Sequence, residues 1–369
     1  MRQTCLRLLA AVPILALIAA LPLVNRVGPV LTHTTAFAGE RLVYAVATKG
    51  QTFVAEKTEI DSVDLDSGER TLLFSDEHAS IRIIEQLYVF HWPVMAGGRL
   101  FAHAVERGRV PAFPGNAALY ELRADGSNGF RRVAGIVSDE SLGDLFPKPD
   151  GRLIGYFARR GRQQLFVEVD TGTGQEVHRV DLTRTIRDCL VASAGWLPGG
   201  GVFFTIEVVD VDAVSPGSEK QVGTYRMDED GRNLRRVQVI PGAPQDAQRM
   251  LGVASDGGYL YEDAGIDGAT SITKVDPTTG RKAAVGFRSA AVARPAIRLA
   301  YCVSPSGDRV VATKTTSTTE NVPWVIWVRN LPQASEKQVV SIPTAGMDGP
   351  FVGIVGWRPA NPGAIRHDH

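Results

Sequence analysis

The sequence lacks an excess of charge of either sign, and this absence limits the partners that the chain attracts. Its 40 basic and 40 acidic side chains give a formal net charge of zero. A neutral chain presents no net field that would draw a polyanion toward it. Nucleic acid is therefore not expected as a partner.

Cysteine is scarce, and the familiar catalytic motifs are missing. The three cysteines, Cys5, Cys189 and Cys302, are too few to staple a chain of 369 residues together. The sequence has no G-x-S-x-G, H-E-x-x-H, C-x-x-C or G-x-x-x-x-G-K-[ST] motif, so the common hydrolase, zinc and nucleotide sites are not indicated. We expect no cofactor, and we expect Cys189 and Cys302 to be buried free thiols rather than a disulfide pair.

Glycine and proline, in contrast, are abundant. The 38 glycines and 21 prolines lie between short apolar runs rather than in one flexible tract. Such a distribution is typical of a chain made of short strands and turns. Long helices are not expected.

The first 38 residues form a separate segment. Arg2 and Arg7 precede an uncharged apolar run, residues 8–24, and Ala36 and Ala38 supply small residues suited to a cleavage site. The run fits either a cleaved export signal or a retained membrane anchor, and both alternatives stay open. Positive charge before the run predicts that everything after it is exported, into the periplasm, outside the cell, or at the outer face of the cytoplasmic membrane.

A strand-turn-strand pattern recurs through the rest of the chain. In each copy an apolar strand meets a turn of Pro, Gly and Asp, and a second strand follows the turn. The five copies are Trp92 to Phe101, Phe146 to Leu153, Trp196 to Phe203, Val253 to Leu260 and Val303 to Val310. The spacing from Arg41 to Arg309 is about 54 residues per copy, a length typical of propeller blades.

Each copy is followed by two further predicted strands joined by an Asp- and Gly-rich turn. The predicted third strands are Ile60 to Leu65, Leu119 to Arg123, Leu165 to Val169, Thr224 to Met227, Ser271 to Val275 and Val325 to Val328. The predicted fourth strands are Thr71 to Phe74, Phe130 to Ile136, Val177 to Leu182, Leu234 to Ile240, Lys282 to Phe287 and Lys337 to Ile342. The pattern predicts six four-stranded units, since Asp and Gly favour the turns that join paired strands.

The first unit, which begins at residues 40–44, has no opening strand of its own. Phe351 to Gly356, followed by a Pro- and Gly-containing turn at residues 357–363, supplies a strand without the rest of a blade. We therefore predict an all-β, six-bladed propeller over residues 39–363, in which the C-terminal strand completes blade one. Residues 364–369 are expected to be a polar tail.

These turns resemble those of the TolB-like, or WD40-like PD40, propeller family. Phe146 to Gly151 and Val303 to Gly307 are the nearest matches to its W-S-P-D-G-like turn. The resemblance covers almost all of residues 39–363 and implies a fold that proteins of many activities share. TolB carries a smaller α/β domain before its propeller, and no counterpart is expected here, so the role of TolB is not implied.

The channel of a propeller is the expected binding place, because its innermost strands converge there. The polar residues predicted to line its mouth are Glu85, His91, Asp144, Asp188, Arg249 and Arg298. Channel walls are wet and require polar side chains in any case, so the same residues also fit a purely structural role. Trp92, Trp196 and Trp357 are predicted to share one position of the repeat and to pack between blades.

Two functions follow from this arrangement. The first is a non-enzymatic binding module for protein or peptide partners. The alternative is a lactonase-like hydrolase or lyase with a divalent metal in the channel, which requires several acidic or amide ligands. Only Glu85, Asp144 and Asp188 are acidic among the six, and Arg249 and Arg298 oppose a cation, so the sequence favours binding. Oligomeric state cannot be predicted from it.

Overall fold

The computed structural model describes most of the chain from Glu40 to Pro359. The described residues are 40–48, 57–83, 85–86, 89–90, 92–107, 117–135, 140–148, 150–186, 190–197, 200–207, 221–239, 249–264, 270–289, 301–304, 306–315, 324–332, 334–343 and 351–359. The predicted export segment, the predicted tail and Cys189 lie outside them. Within the described ranges, no helix has the length and apolarity needed to span a membrane.

The described residues form strands joined by turns. The first ten are β1 (Glu40–Thr48), β2 (Lys57–Asp64), β3 (Arg70–Ser75), β4 (Ile81–Ile83), β5 (Glu85–Gln86), β6 (Val89–Phe90), β7 (Val94–Ala96), β8 (Arg99–Glu106), β9 (Ala117–Leu122) and β10 (Phe130–Gly135). The next eight are β11 (Glu140–Pro147), β12 (Leu153–Arg160), β13 (Gln163–Asp170), β14 (Glu176–Asp181), β15 (Leu190–Trp196), β16 (Val202–Glu207), β17 (Gly223–Met227) and β18 (Arg235–Val239). The last nine are β19 (Arg249–Val253), β20 (Tyr259–Ala264), β21 (Thr270–Val275), β22 (Lys282–Ser289), β23 (Tyr301–Val303), β24 (Arg309–Thr315), β25 (Trp324–Asn330), β26 (Ser335–Ile342) and β27 (Phe351–Pro359).

All of these strands except β5 and β6 build six antiparallel sheets, which are the blades of a propeller. Blade one has the order β27-β1-β2-β3, and blade two has the order β4-β8-β9-β10, with β7 also paired to β8. Blades three to six follow in sequence as β11 to β14, β15 to β18, β19 to β22 and β23 to β26. The predicted third and fourth strands are confirmed in all six blades.

The last strand closes the ring. β27 runs antiparallel to β1, from Ala47 opposite Phe351 to Glu40 opposite Pro359. The prediction that the C-terminal strand completes blade one is therefore confirmed, although the strand continues to Pro359 instead of turning after Gly356. The innermost strands also contact one another in the cyclic order β27, β7, β11, β15, β19, β23 and β27 again. The six blades thus form a closed ring.

Apolar side chains fill the spaces between successive blades. Because strand side chains alternate between the two faces of a sheet, each strand contributes to two interfaces. On β1, Leu42 and Tyr44 join the cluster shared with blade six, whereas Val43 and Ala45 join the cluster shared with blade two. Because both of its faces are buried, β1 is a nearly continuous apolar run in the sequence.

The predicted Asp- and Gly-rich turns join the third and fourth strands. In blade three, the Asp170 carboxylate accepts hydrogen bonds from the backbone amides of Gly172 and Thr173, both at 2.9 Å, and Gly174 has a φ of 71°. Asp64 and Asp276 accept equivalent bonds in blades one and five. The side chain thus holds the turn while glycine supplies the left-handed backbone.

Three arginines, Arg41, Arg99 and Arg309, occupy the same position in their blades. Each comes directly before the first buried residue of the blade's second strand and forms hydrogen bonds to other strands or turns. Arg99 binds Glu121 through Nε and Nη2, both at 2.8 Å, and also donates to Thr171 of blade three at 2.7 Å. Arg309 of blade six pairs with Glu40 of blade one, and Arg41 bonds Ser62 and Thr71 within blade one. The Arg309 pair thus adds a side-chain contact between blades six and one.

A candidate binding site on the innermost strands

Four of the innermost strands share a local irregularity. In β15, β19 and β27 one extra residue opposes the second strand, at Ala192, Leu251 and Val355. In β11, Leu142 pairs with Ala158 and Leu145 with Tyr156, so two residues stand opposite one. Such bulges bend a strand and redirect side chains. They therefore disturb the regular alternation along the wall of the channel.

Asp144 lies in the bulge of blade three. Gly143 and Asp144 together oppose Phe157 of β12. The carboxylate oxygen Oδ1 is buried, although the residue as a whole is only partly buried. Asp144 is thus a polar residue of the innermost strand that lies outside the regular pairing.

The innermost strand of blade two is divided into two short strands, β4 and β7. β4 pairs with the last part of β8, from Ile81 opposite Glu106 to Ile83 opposite Ala104. β7 pairs with the first part, from Val94 opposite Phe101 to Ala96 opposite Arg99. Residues 84–93, which we call the blade-two insertion, separate these halves. Within the insertion, β5 pairs with β6 in a two-stranded sheet of its own.

Trp92 fixes the base of the blade-two insertion to the closing strand. Its indole lies against Gly353 of β27, where a Cβ atom would overlap the ring. The ring also packs against the apolar cluster shared by blades one and two. The insertion is therefore anchored at the seam where the ring closes.

The tryptophans do not all share one position. Trp196 lies opposite Val202, and Trp357 lies opposite Leu42. In blade two the residue at this position is Met95, opposite Leu100. The prediction of equivalence is confirmed for Trp196 and Trp357 and wrong for Trp92, which lies three residues earlier because the insertion separates it from the usual frame. All three pack against interblade clusters, as predicted.

The six predicted channel residues are described to different extents. Glu85 is the first residue of β5, Asp144 lies in the β11 bulge, and Arg249 is the first residue of β19. These three therefore belong to an innermost strand or to the insertion within one, in three different blades. His91, Asp188 and Arg298 lie outside the described residues. Convergence of the six side chains stays a prediction.

Several buried ionisable groups were not predicted from the sequence, and two of them, His103 and Glu168, lie within strands. His103 on β8 is fully buried, and its ring lies perpendicular to that of Tyr156, with 5.5 Å between centroids. Glu168 on β13 is also fully buried, and its Oε2 lies 2.6 Å from Nδ1 of the half-buried His178. The sequence signal that could have identified each group is a single ionisable residue within an apolar run, His103 in β8 and Glu168 in β13.

Burial raises the pKa of several groups near the core. It raises the pKa of Tyr261 to about 12 and that of the Cys302 thiol to about 12. In blade one, burial is also the main cause that raises the pKa of Asp61, whose carboxylate accepts a hydrogen bond from Tyr44 at 3.3 Å. A neutral thiol is a poor nucleophile, so Cys302 is suited to packing. It is a free thiol, as predicted.

No metal-binding cluster is evident in the part of the chain that the structure describes. Within those residues, no three His, Cys, Asp or Glu side chains converge closely enough to hold a metal ion. The charged contacts between blades instead pair acids with bases. Lys148 of blade three, for example, contacts Glu229 of blade four at 2.8 Å and lies 4.6 Å from the centroid of Trp196.

Comparison with known proteins identifies the fold. No protein-family model and no curated protein sequence matches the chain. Among solved structures, TolB from Acinetobacter baumannii is similar, with a TM-score of 0.54 and 14% identity over 87% of this chain and 67% of that one. A TolB-like protein from Agrobacterium tumefaciens has a TM-score of 0.47 and 14% identity, over 85% and 98% of the two chains. An oligogalacturonate lyase in complex with manganese has a TM-score of 0.47 and 16% identity, over 77% and 71%.

These comparisons define the class of structure. The chain has a TolB-like six-bladed propeller fold, as the turn motifs predicted. At 14% identity, the likeness establishes the fold alone. Because propellers serve many functions, the activity must be inferred from the site residues.

Proposed function

We propose that the protein is an exported, non-enzymatic propeller that binds a protein or peptide partner at the mouth of its channel. The observation that carries the proposal is the asymmetry of blade two. Four of the other innermost strands, β11, β15, β19 and β27, are each a single strand in the described residues, whereas this strand is divided by the anchored blade-two insertion. An irregular segment set on a rigid scaffold is the usual form of a recognition site.

The charges of the predicted channel residues also favour binding over metal-dependent catalysis. Asp144 supplies a carboxylate on blade three, and Arg249 begins the innermost strand of blade five. A mixed set of acidic and basic groups suits the termini and side chains of a peptide. A cation in the same channel would require acidic or neutral ligands rather than arginines.

Site-specific photo-crosslinking tests this proposal. A photoreactive phenylalanine analogue is placed at position 85, 144 or 125, and the protein is mixed with an envelope extract of the producing cell. Asp125, in the exposed turn before β10, is the matched control because it lies outside the channel set. We expect one discrete adduct from positions 85 and 144 and none from position 125.

Two results would contradict the proposal. One is equal labelling from all three positions, or labelling from none. The other is one tightly bound divalent metal per chain in the purified protein, together with hydrolysis or elimination of a sugar or lactone substrate. The second result would favour the alternative of a metal-dependent lyase or lactonase.

A further inference from the structure

The hairpin that joins the second and third strands of blade three is strongly basic. Residues 159–162 read RRGR, so three of these four residues are arginine, in a chain whose formal net charge is zero. Arg159, Arg160 and Arg162 are all exposed. The hairpin is therefore a local concentration of positive charge on a protein that has no net charge.

The backbone of this hairpin has little freedom. β12 and β13 pair without a register shift up to Arg160 opposite Gln163, so only Gly161 and Arg162 form the turn. Gly161 has a φ of 56°, the left-handed conformation that glycine supplies in tight hairpins. Because the turn is so short, its backbone is held in place before a partner binds, which reduces the entropy that binding costs.

A fourth exposed arginine, Arg184, follows the last strand of the same blade. The chain that leaves β14 is bonded to β13 there. The backbone amide of Gln164 donates to Thr183 Oγ1 at 2.9 Å, and the amide of Leu182 donates to the carbonyl of Gln164 at 2.8 Å. Arg184 is the next residue, so its backbone lies beside the base of the hairpin. We call these four residues the arginine hairpin surface: Arg159, Arg160, Arg162 and Arg184.

Carboxylates are fewer than arginines at this end of blade three. Glu140, the first residue of β11, lies opposite Arg160. Asp181, the last residue of β14, accepts a hydrogen bond from the backbone amide of Thr183 at 2.8 Å. The four arginines outnumber these two carboxylates, so the surface keeps a surplus of positive charge.

The arginine hairpin surface lies on the side of the propeller where the innermost strands begin. Because Glu140 at the start of β11 pairs with Arg160 at the end of β12, the chain enters β11 on the side where the hairpin projects. The predicted channel residue Arg249 likewise begins its innermost strand, β19. The surface is therefore on the side at which the channel mouth is predicted.

From its charge, its restrained backbone and its position, we infer that the arginine hairpin surface binds an acidic segment of the partner protein. The inference rests on the proposed binding function and names the chemistry of the partner. A guanidinium group donates two parallel hydrogen bonds to one carboxylate and is weakly hydrated, so arginine forms such pairs readily at interfaces. The carboxylates of Glu140 and Asp181 and the zero net charge of the chain disfavour a long polyanion such as nucleic acid.

Peptide selection provides the test. A displayed library of random twelve-residue peptides is selected on the full chain at low ionic strength, and the selected peptides are measured against the double variant Arg162→Glu/Arg184→Glu. Arg152→Glu/Arg232→Glu is the matched control, because it changes the net charge equally at exposed arginines in turns at the opposite ends of the strands. Thermal unfolding establishes that each variant retains the propeller, and Arg162→Gln/Arg184→Gln is a milder second variant.

We expect the selected peptides to be rich in Asp and Glu and to bind Arg162→Glu/Arg184→Glu at least about tenfold more weakly than the wild type, because each reversal replaces an attraction by a repulsion. The control should bind within about twofold of the wild type, and added salt should weaken the same peptides. Peptides without acidic enrichment, or peptides that bind the wild type and the charge-reversed variant equally, would overturn the inference and leave the proposed function standing. Failure to select any peptide, together with failure of the crosslinking test, would overturn both.

Photo-crosslinking supplies a second measurement that does not depend on the library. With the photoreactive residue at position 85 or 144, reversal of Arg162 and Arg184 should reduce the adduct at least about fivefold, and the control reversal should not. An adduct of unchanged yield would overturn the inference even where no peptide is selected. Arg162- and Arg184-dependent binding of a twelve-nucleotide single-stranded DNA or of phosphatidylglycerol vesicles, in place of acidic peptides, would also overturn it.

Discussion

The indole of Trp92 occupies the space beside the Cα of Gly353, so that only glycine fits at this position of the closing strand. The contact joins the insertion of blade two to the strand that completes blade one. A feature of the candidate site and the closure of the ring therefore depend on the same pair of residues. This relationship leads to the first prediction.

Gly353→Ala should destabilise the protein by about 1–3 kcal/mol, because the added methyl overlaps the partly buried ring of Trp92. Urea unfolding measures the loss. Gly135→Ala is the control, since its Cβ meets only the flexible end of Arg132. In a Trp92→Ala background, the cost of Gly353→Ala should fall, because the two residues are in contact. An equal cost in both backgrounds would show that the contact is not the cause.

Glu121 should make stability depend on pH. Hydrogen bonds from Arg99, and then from Arg131, hold the pKa of this carboxyl below its ordinary value of 4.5. A lowered pKa in the folded state means that the stabilisation is complete above the unfolded value and is lost as the pH falls through the folded value. Acid should therefore reduce the free energy of unfolding less in Glu121→Gln than in the wild type. Identical acid profiles for the two proteins would contradict the assignment.

The control for Glu121 is Glu69→Gln, which removes an exposed carboxylate from a turn of blade one. This variant should retain the acid sensitivity of the wild type. At neutral pH, Glu121→Gln should cost about 1–3 kcal/mol, the usual range for hydrogen bonds to a charged group. The partial exposure of the pair places the expected value toward the lower end.

Cys302 should resist alkylation in the folded protein. Burial raises the pKa of its thiol to about 12, so almost none of it is thiolate at pH 8.5. Iodoacetamide labelling, followed by peptide mapping to identify this residue, should be at least about 100-fold slower in the native state than in urea. Comparable rates in the two conditions would show that the thiol is exposed.

Glu168 and His178 should be strongly coupled. The carboxylate is fully buried, and its contact with His178 Nδ1 at 2.6 Å compensates for that burial. His178→Ala should therefore cost about 1–3 kcal/mol, because it leaves a buried carboxyl group without its hydrogen-bond partner. Adding Glu168→Met should recover part of this loss. A double variant less stable than His178→Ala alone would contradict the coupling.

The sequence predicts the fold well because its signals are local and repeated. The turn from Asp170 to Gly174, for example, is predicted by its Asp and Gly residues alone. The C-terminal strand at Phe351 has no blade of its own, and blade one is the only predicted blade that lacks a strand. The division of the innermost strand of blade two was not predicted, because β4 and β7 have three residues each and resemble loop. The Glu168–His178 pair depends on which residues face each other across strands, and that register is fixed by tertiary pairing. Trp92 was assigned to the wrong repeat position because the unpredicted insertion separates it from the usual frame.

Hydrogen exchange at the amides of an innermost strand tests the account most directly. The backbone of β11, which contains Asp144, is measured in the full chain, alone and with the partner recovered by crosslinking at position 144, while β14 serves as an internal reference. We predict that the partner slows exchange in β11 by at least about tenfold and leaves β14 unchanged. Unchanged exchange in β11, at a partner concentration that saturates binding, would contradict binding at the channel.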